Sequence, residues 1–143
     1  MKTIYLLDTN IISEVTRPQP SEKLISNLEL HSGTCAISSI SWYELQNGIS
    51  LLPTGTKKSK LQTFLNDYVQ QSFPILPYDI HAVTINADIT SSLLPQGKPT
   101  PILDTQIASI AIANNLILVT HNTRDFEIFA KEFNLILEDW TNL

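Results

Sequence analysis

The sequence predicts an α/β fold, a three-layer α/β/α domain built around a central, mainly parallel sheet of four to five strands. Three observations predict it. Short unbroken apolar runs recur along the chain, each with the length of a strand buried on both faces. Segments with helical periodicity fill the gaps between them. The 143 residues, 43% hydrophobic and 16% charged, suffice for one core without staples, so residues 1–143 are expected to form a single domain.

In chain order, Ile4-Tyr5-Leu6-Leu7 is the first strand and stops at Asp8, after which Ile11-Ile12 begin a helix. Leu24, Ile25 and Leu28 mark a short helix, and Cys35-Ala36-Ile37 a second strand. The stretch from Pro53 to Lys60 reads as a loop or helix junction. Leu61, Phe64, Leu65, Tyr68 and Val69 follow i, i+3, i+4, i+7, i+8, which lays one apolar stripe on a core. Phe73 to Leu76 is a third strand, and Pro95 to Pro99 a second junction. Thr100-Pro101 opens a helix, with Thr as cap and Pro at the first helical position, that runs through Ile107, Ile110 and Ala111 to Asn114-Asn115. Leu116 to Val119 and Leu135 to Leu137 are the last strands, with a short helix around Phe126 and Phe129 between them. Right-handed crossovers between parallel strands place a ligand crevice beyond the strands' carboxyl ends.

Composition excludes several classes. The apolar content rules out disorder, and no run approaches the roughly 20 apolar residues that cross a bilayer. The start MKTIYLLDTN reaches Asp8 too early for a signal peptide, and the lone Cys35 has no internal disulfide partner, so a cytoplasmic protein is expected. Fourteen acidic against 9 basic side chains give a net charge of −5, which weighs against non-specific nucleic-acid binding. The 4 glycines form no G-x-G-x-x-G, so dinucleotide binding is excluded. A haloacid-dehalogenase-type phosphatase needs a second Asp two residues after the first, and Asn10 stands there.

Four carboxylates carry the remaining chemistry, and each has a structural explanation of its own. Asp8 is a good helix cap. Ser41-Trp42-Tyr43-Glu44 fits a capping box, the favoured explanation of Glu44 taken alone. Asp104 falls in a first helical turn, where the macrodipole favours a carboxylate. Asp125 fits as the cap of the last helix. Their joint pattern says more: each follows a strand or opens a helix, and in a parallel sheet such positions converge on one edge. Asp104 requires in addition that its helix lead back to that edge. Converging carboxylates repel and raise one another's pKa unless a cation neutralises them. Oxygen ligands alone select a hard ion, Mg²⁺ or Mn²⁺.

The segments Leu6-Leu7-Asp8-Thr9-Asn10, Ser38 to Gly48 with Glu44-Leu45, Gly97-Lys98-Pro99 with Leu103-Asp104 and Ile107-Ala108, and Val119-Thr120-His121-Asn122-Thr123-Arg124-Asp125-Phe126 resemble a PIN-domain ribonuclease. More narrowly they resemble the VapC-type toxins of bacterial toxin-antitoxin pairs, in order from Met1 to about Leu137. The resemblance implies a PIN-like fold and a Mg²⁺- or Mn²⁺-dependent endoribonuclease that cuts RNA, often transfer RNA, and arrests translation. It places Asp8, Glu44, Asp104 and Asp125 at the family's acidic positions as catalytic and metal-binding residues, with Thr9, Thr120 and Asn122 in support. It also implies a VapB-type antitoxin over the acidic site and a toxin homodimer, assembled as a heterotetramer or larger; no membrane partner is expected, since no apolar run is long enough to span a bilayer. His121 stands where these proteins often carry Arg, which weakens the expectation of a phosphate contact there. The alternative from another class is a catalytically silent PIN-like domain that binds RNA or protein.

Lys98 and Arg124 flank the acids and are the better candidates for RNA contacts; Lys57, Lys58 and Lys60 fit solvated surface better. His31, His81 and His121 lack metal-ligand spacing and Cys35 lacks an activating His, so none is a site candidate. Trp42, Tyr43 and Trp140 fit core or dimer contacts better than base stacking, with the dimer favoured.

Overall fold

Five short strands, β1 (Tyr5–Leu7), β2 (Cys35–Ser38), β3 (Ile75–Leu76), β4 (Ile117–Val119) and β5 (Leu137–Glu138), pair in parallel in the order β3-β2-β1-β4-β5. They belong to a computed structural model that describes residues 2–141; Met1, Asn142 and Leu143, the ends of the expected domain, lie outside the described residues. The sheet is the expected one, with five strands and parallel throughout.

Helices cover both faces: α1 (Thr9–Val15), α2 (Glu22–Leu30), α3 (Ser39–Ser50), α4 (Thr56–Phe64), the short α5 (Gln70–Ser72), α6 (Ile80–Leu93), α7 (Ile102–Ala113) and α8 (Thr123–Phe133). Successive strand residues point to opposite faces. Leu6, Ala36 and Leu118 therefore pack with Ile89, Ile107 and Phe129 of α6, α7 and α8. Leu7, Ile37 and Val119 pack with Ile11, Leu24, Ile49 and Leu65 on the other side. Two apolar layers around one sheet give the three-layer architecture.

Several details differ from expectation, each for a local reason. The Pro53 to Lys60 junction is helical from Thr56 onward. The stripe on 61–69 runs into a π-helical turn, Leu65–Val69, in which Leu65 and Val69 are buried but Tyr68 is 42% exposed. A 3₁₀ turn, Leu94–Gln96, occupies the second junction, and Gly97 ends it at φ +71°, a backbone conformation that favours glycine. The helix α6 has no counterpart in the sequence reading, because its Val, Ile and Thr residues are weak helix formers. Burial of Ala82, Ile89 and Leu93, with Asp79 Oδ1 accepting from the Ala82 N–H at 3.0 Å, decides the matter. Trp140, considered for a dimer contact, is buried against Tyr5 and His31. Among the described residues no helix is long and apolar enough to cross a membrane.

The sheet order also fixes where a site can form. From the central β1 the chain moves outward to β2 and β3 on one side, then returns to β4 and β5 on the other. The strand order thus reverses between β1 and β4, the place where open α/β sheets present a crevice at their carboxyl ends.

Candidate functional site

Asp8 follows β1 at that crevice. The register aligns Leu7 with Val119 and with Ile37, so Asp8 and Thr120, each just beyond its strand, stand level with Ser38 at the end of β2. The Asp8 N–H donates to the Val119 carbonyl at 2.9 Å, which continues the ladder one residue beyond the strand. The Asp8 side chain does cap α1, accepting from the Thr9 N–H at 2.8 Å. It also accepts from Thr120 Oγ1 at 2.8 Å and from Asn10 Nδ2 at 3.2 Å. Capping and membership of the acidic cluster are therefore compatible.

Glu44 does not close a capping box. The N-cap of α3 is Ser38, whose hydroxyl accepts from the Ser41 N–H at 2.9 Å, so α3 begins three residues earlier than the box requires. That start places Glu44 one turn beyond Ser41 on the same helix face, and both meet Thr9. Thr9 Oγ1 donates to Glu44 Oε1 at 2.7 Å and lies 2.9 Å from Ser41 Oγ. One hydroxyl proton serves one acceptor, and the carboxylate is the stronger, so Ser41 supplies the proton between the two hydroxyls.

Asp104 stands in the first turn of α7, as expected, although the cap is Pro101 rather than Thr100 and carries no side-chain bond. Because α7 precedes β4 and runs back along the sheet, its N-terminus returns to the carboxyl edge. Asp125 is not the cap of α8: that position is Asn122, and Asp125 lies in the first turn, exposed. Asp104 and Asp125 share a cavity of about 370 Å³ with Lys98 and Arg124. Lys98 Nζ is held 2.9 Å from Glu132 Oε1 of α8. Asn122 reaches the cluster through its backbone, its N–H donating to Thr120 Oγ1 at 3.1 Å.

The electrostatics join the four acids. Burial pushes the Asp8 carboxyl up to about 6; the Thr120 and Thr9 hydrogen bonds oppose this, and the negative charges of Asp104 and Glu44 add to it. Asp104 is also raised, first by burial and then by Asp125 and Glu44. Among the described residues the ion pairs are Arg17–Glu14, Lys98–Glu132 and His121–Asp139, so none of the four acids is in an ion pair. No three His, Cys, Asp or Glu side chains among the described residues form a ready ligand cage. The donor set is instead an open, oxygen-only edge. That fits Mg²⁺ or Mn²⁺, which take one or two carboxylates and keep several waters.

Two residues of this network lie outside the sequence-derived set. Asn10 bridges three groups: its Nδ2 donates to Asp8 and Thr120, and its Oδ1 accepts from the His121 N–H at 3.0 Å. Ser41 meets Thr9. Asn10 sits inside the Asp8 motif, and the position could have drawn notice there; nothing in the sequence separates Ser41 from an ordinary helix-start serine. Cys35 is buried, and its thiol is pushed up to about 11 by burial, as befits a structural cysteine. His121 Nδ1 lies 3.0 Å from Thr141 Oγ1, the hydrogen-bonded role expected of it.

Comparison with known proteins agrees with this geometry. A family model described as "PIN domain" matches residues 5–132. Toxin FitB of Neisseria gonorrhoeae is 37% identical over 126 residues, covering 86% of this chain and 91% of its own. The tRNA(fMet)-specific endonuclease VapC of Shigella flexneri is 31% identical over 141 residues, 96% of this chain and 98% of its own. The crystal structure of VapBC2 from Rickettsia felis, bound to a DNA fragment from their promoter, superposes with a TM-score of 0.82 at 34% identity. That match covers 96% of this chain and 99% of the other. The chain belongs to the PIN domain family.

Proposed function

We propose that this chain is a single-domain, metal-dependent endoribonuclease toxin that hydrolyses RNA phosphodiester bonds and is held inactive by a cognate VapB-type antitoxin. The observation that carries it is the convergence of Asp8, Glu44, Asp104 and Asp125 on the switch-point edge, where their charges act on one another and, among the described residues, none of them is in an ion pair. Relatives named as a toxin and as a transfer-RNA endonuclease support RNA as substrate and transfer RNA as its class. They argue against the silent alternative, for which the retained acids would have no use. The VapBC2 complex supports an antitoxin partner, and a toxin homodimer within a heterotetramer or larger assembly is what the family resemblance implies.

Asp8 and Asp104 are the proposed direct ligands, with Glu44 and Asp125 direct or through water. These carboxylates would hold one divalent ion, which would make a water easier to deprotonate, and a second, if bound, would offset the charge on the leaving oxygen. The protein's own part is positional. Thr9, Thr120 and Asn10 fix the two oxygens of Asp8 and one of Glu44. Lys98 and Arg124 offer cations beside Asp104 and Asp125, where an RNA phosphate would lie.

Purified protein is expected to cut RNA with Mg²⁺ or Mn²⁺ and to stop in excess chelator. Asp8→Asn and Asp104→Asn are expected to lose cutting by at least about a hundredfold while remaining folded, and wild type, but not these variants, to arrest growth on induction. Full cutting in chelator would refute the metal mechanism. A wild type inert toward RNA that still captured a partner would restore the silent reading.

A further inference from the structure

The 9 basic side chains of this net-acidic chain are unevenly placed. Lys98 and Arg124 stand beside Asp104 and Asp125. Beyond Thr9 and Glu44, on the other flank, Arg17, Lys57 and Lys60 line one hollow of about 600 Å³ between the end of α1 and the start of α4. Lys57 also borders an adjoining, mainly apolar cavity of about 330 Å³ whose wall includes Thr9 and Glu44, so the hollow neighbours the Glu44 side of the acids. Because α1 has seven residues, Arg17 is only about 12 Å from Thr9 along its axis.

Three features separate these cations from plain solvated surface. Among the described residues Lys57 and Lys60 make no ion pair, whereas Lys58 donates to the Ser50 and Leu52 carbonyls at 3.3 and 3.2 Å and so finishes α3. Lys57 and Lys58 occupy the first turn of α4, a turn with no acidic residue and no side-chain cap. Cations at the positive end of a helix oppose its dipole, so the fold gains nothing from Lys57 there. Arg17 is aimed by Glu14, whose side chain is 8% exposed and whose Oε1 lies 3.3 Å from the guanidinium. One contact of that fork leaves its other N–H donors for a ligand.

We propose that Arg17, Lys57 and Lys60 form a track for the phosphates of a single-stranded RNA substrate, so that the strand crosses the acids between this grip and that of Lys98 and Arg124. The track rests on the ribonuclease reading and deepens it. An acidic cluster repels a polyanion at close range, and cations on both flanks supply the attraction that the net charge of the chain does not.

The test uses the full chain with the double variant Lys57→Gln/Lys60→Gln, two exposed positions, and Lys23→Gln on α2 as control. Binding of a fluorescein-labelled single-stranded RNA is followed by anisotropy in chelator, so that nothing is cut, across a salt series. The double variant is expected to bind about five- to tenfold more weakly at low salt. Its slope of log K against log salt should fall by about 1.4, the value for two lost phosphate contacts on a single strand. With Mg²⁺ its KM for cutting should rise while kcat stays within about twofold, and Lys23→Gln should change none of these. If wild type binds and cuts RNA and the double variant matches it, the track is wrong and the ribonuclease reading stands. If wild type neither binds nor cuts RNA, both fall. Unchanged RNA binding with weaker binding of poly-glutamate would assign the cations to an acidic protein segment and overturn the track.

Discussion

Thr120 Oγ1 donates a 2.8 Å hydrogen bond to Asp8 Oδ2, joining residues 112 positions apart at the carboxyl ends of two neighbouring strands. Both residues are buried, with 0% and 5% exposure. A hydroxyl proton aimed at a carboxylate favours its ionised form, so this bond holds Asp8 closer to ligand-ready than burial alone would allow.

Removing that proton is the sharpest test of the pair. Thr120→Val keeps the shape and deletes the donor, which should cost about 1–3 kcal/mol by leaving a buried acceptor short of a partner. Asp8 then ionises less readily, and the acid limb of the RNA-cleavage rate should move to higher pH by up to about one unit. An unchanged pH profile with lowered stability would show the bond to be structural only.

Asp8 also makes a signed prediction for folding. Its carboxyl titrates at about 6 in the folded protein against 3.8 ordinarily, so the metal-free fold binds that proton more tightly than the unfolded chain. The stability that follows is fully present below about pH 4 and lost as pH rises through about 6. At pH 8 the ionised group costs about 3 kcal/mol. In urea melts of metal-free protein, Asp8→Asn should therefore be more stable than wild type by up to that amount at pH 8, and equal to it near pH 4. A wild type that matches or exceeds the variant at pH 8 would contradict the burial argument.

Metal addition should show the opposite pH dependence to metal-free stability. A ligand that binds only the folded state at a hundredfold excess over its Kd adds about 2.7 kcal/mol, which for a chain of this length is a rise of about 8 °C in Tm. Mg²⁺ should give a shift of that order at pH 8 and about half of it at pH 5, where Asp8 is mostly protonated. Asp104→Asn should reduce the shift at pH 8. Equal shifts at both pH values would point away from these carboxylates.

Phe129 tests the core independently of the site. It is fully buried in the layer that holds α6, α7 and α8 on the sheet. Phe129→Ala should cost about 3–5 kcal/mol in chemical denaturation, with cutting per folded molecule unchanged. A loss of kcat larger than the loss of folded protein would tie this layer to the site.

The sequence by itself determined the layered α/β fold, because strands buried on both faces must be continuously apolar and Leu6-Leu7, Ala36-Ile37 and Leu118-Val119 are so. It also singled out Asp8, Glu44, Asp104 and Asp125 as carboxylates that follow a strand or open a helix in a parallel sheet, although Glu44 stands beyond the first turn of α3. Local pattern misplaced what depends on neighbours. The helix α6 exists by packing against propensity, and Ser38 outcompetes Ser41 as the cap of α3, which frees Glu44 to meet Thr9. Lys57, Lys58 and Lys60 look alike in sequence, yet one finishes a helix while two line a hollow with Arg17. Tertiary structure alone decided these points. Hydrogen-bond partners, burial and the cations around a carboxylate are set by residues far apart in the chain, which no local pattern records.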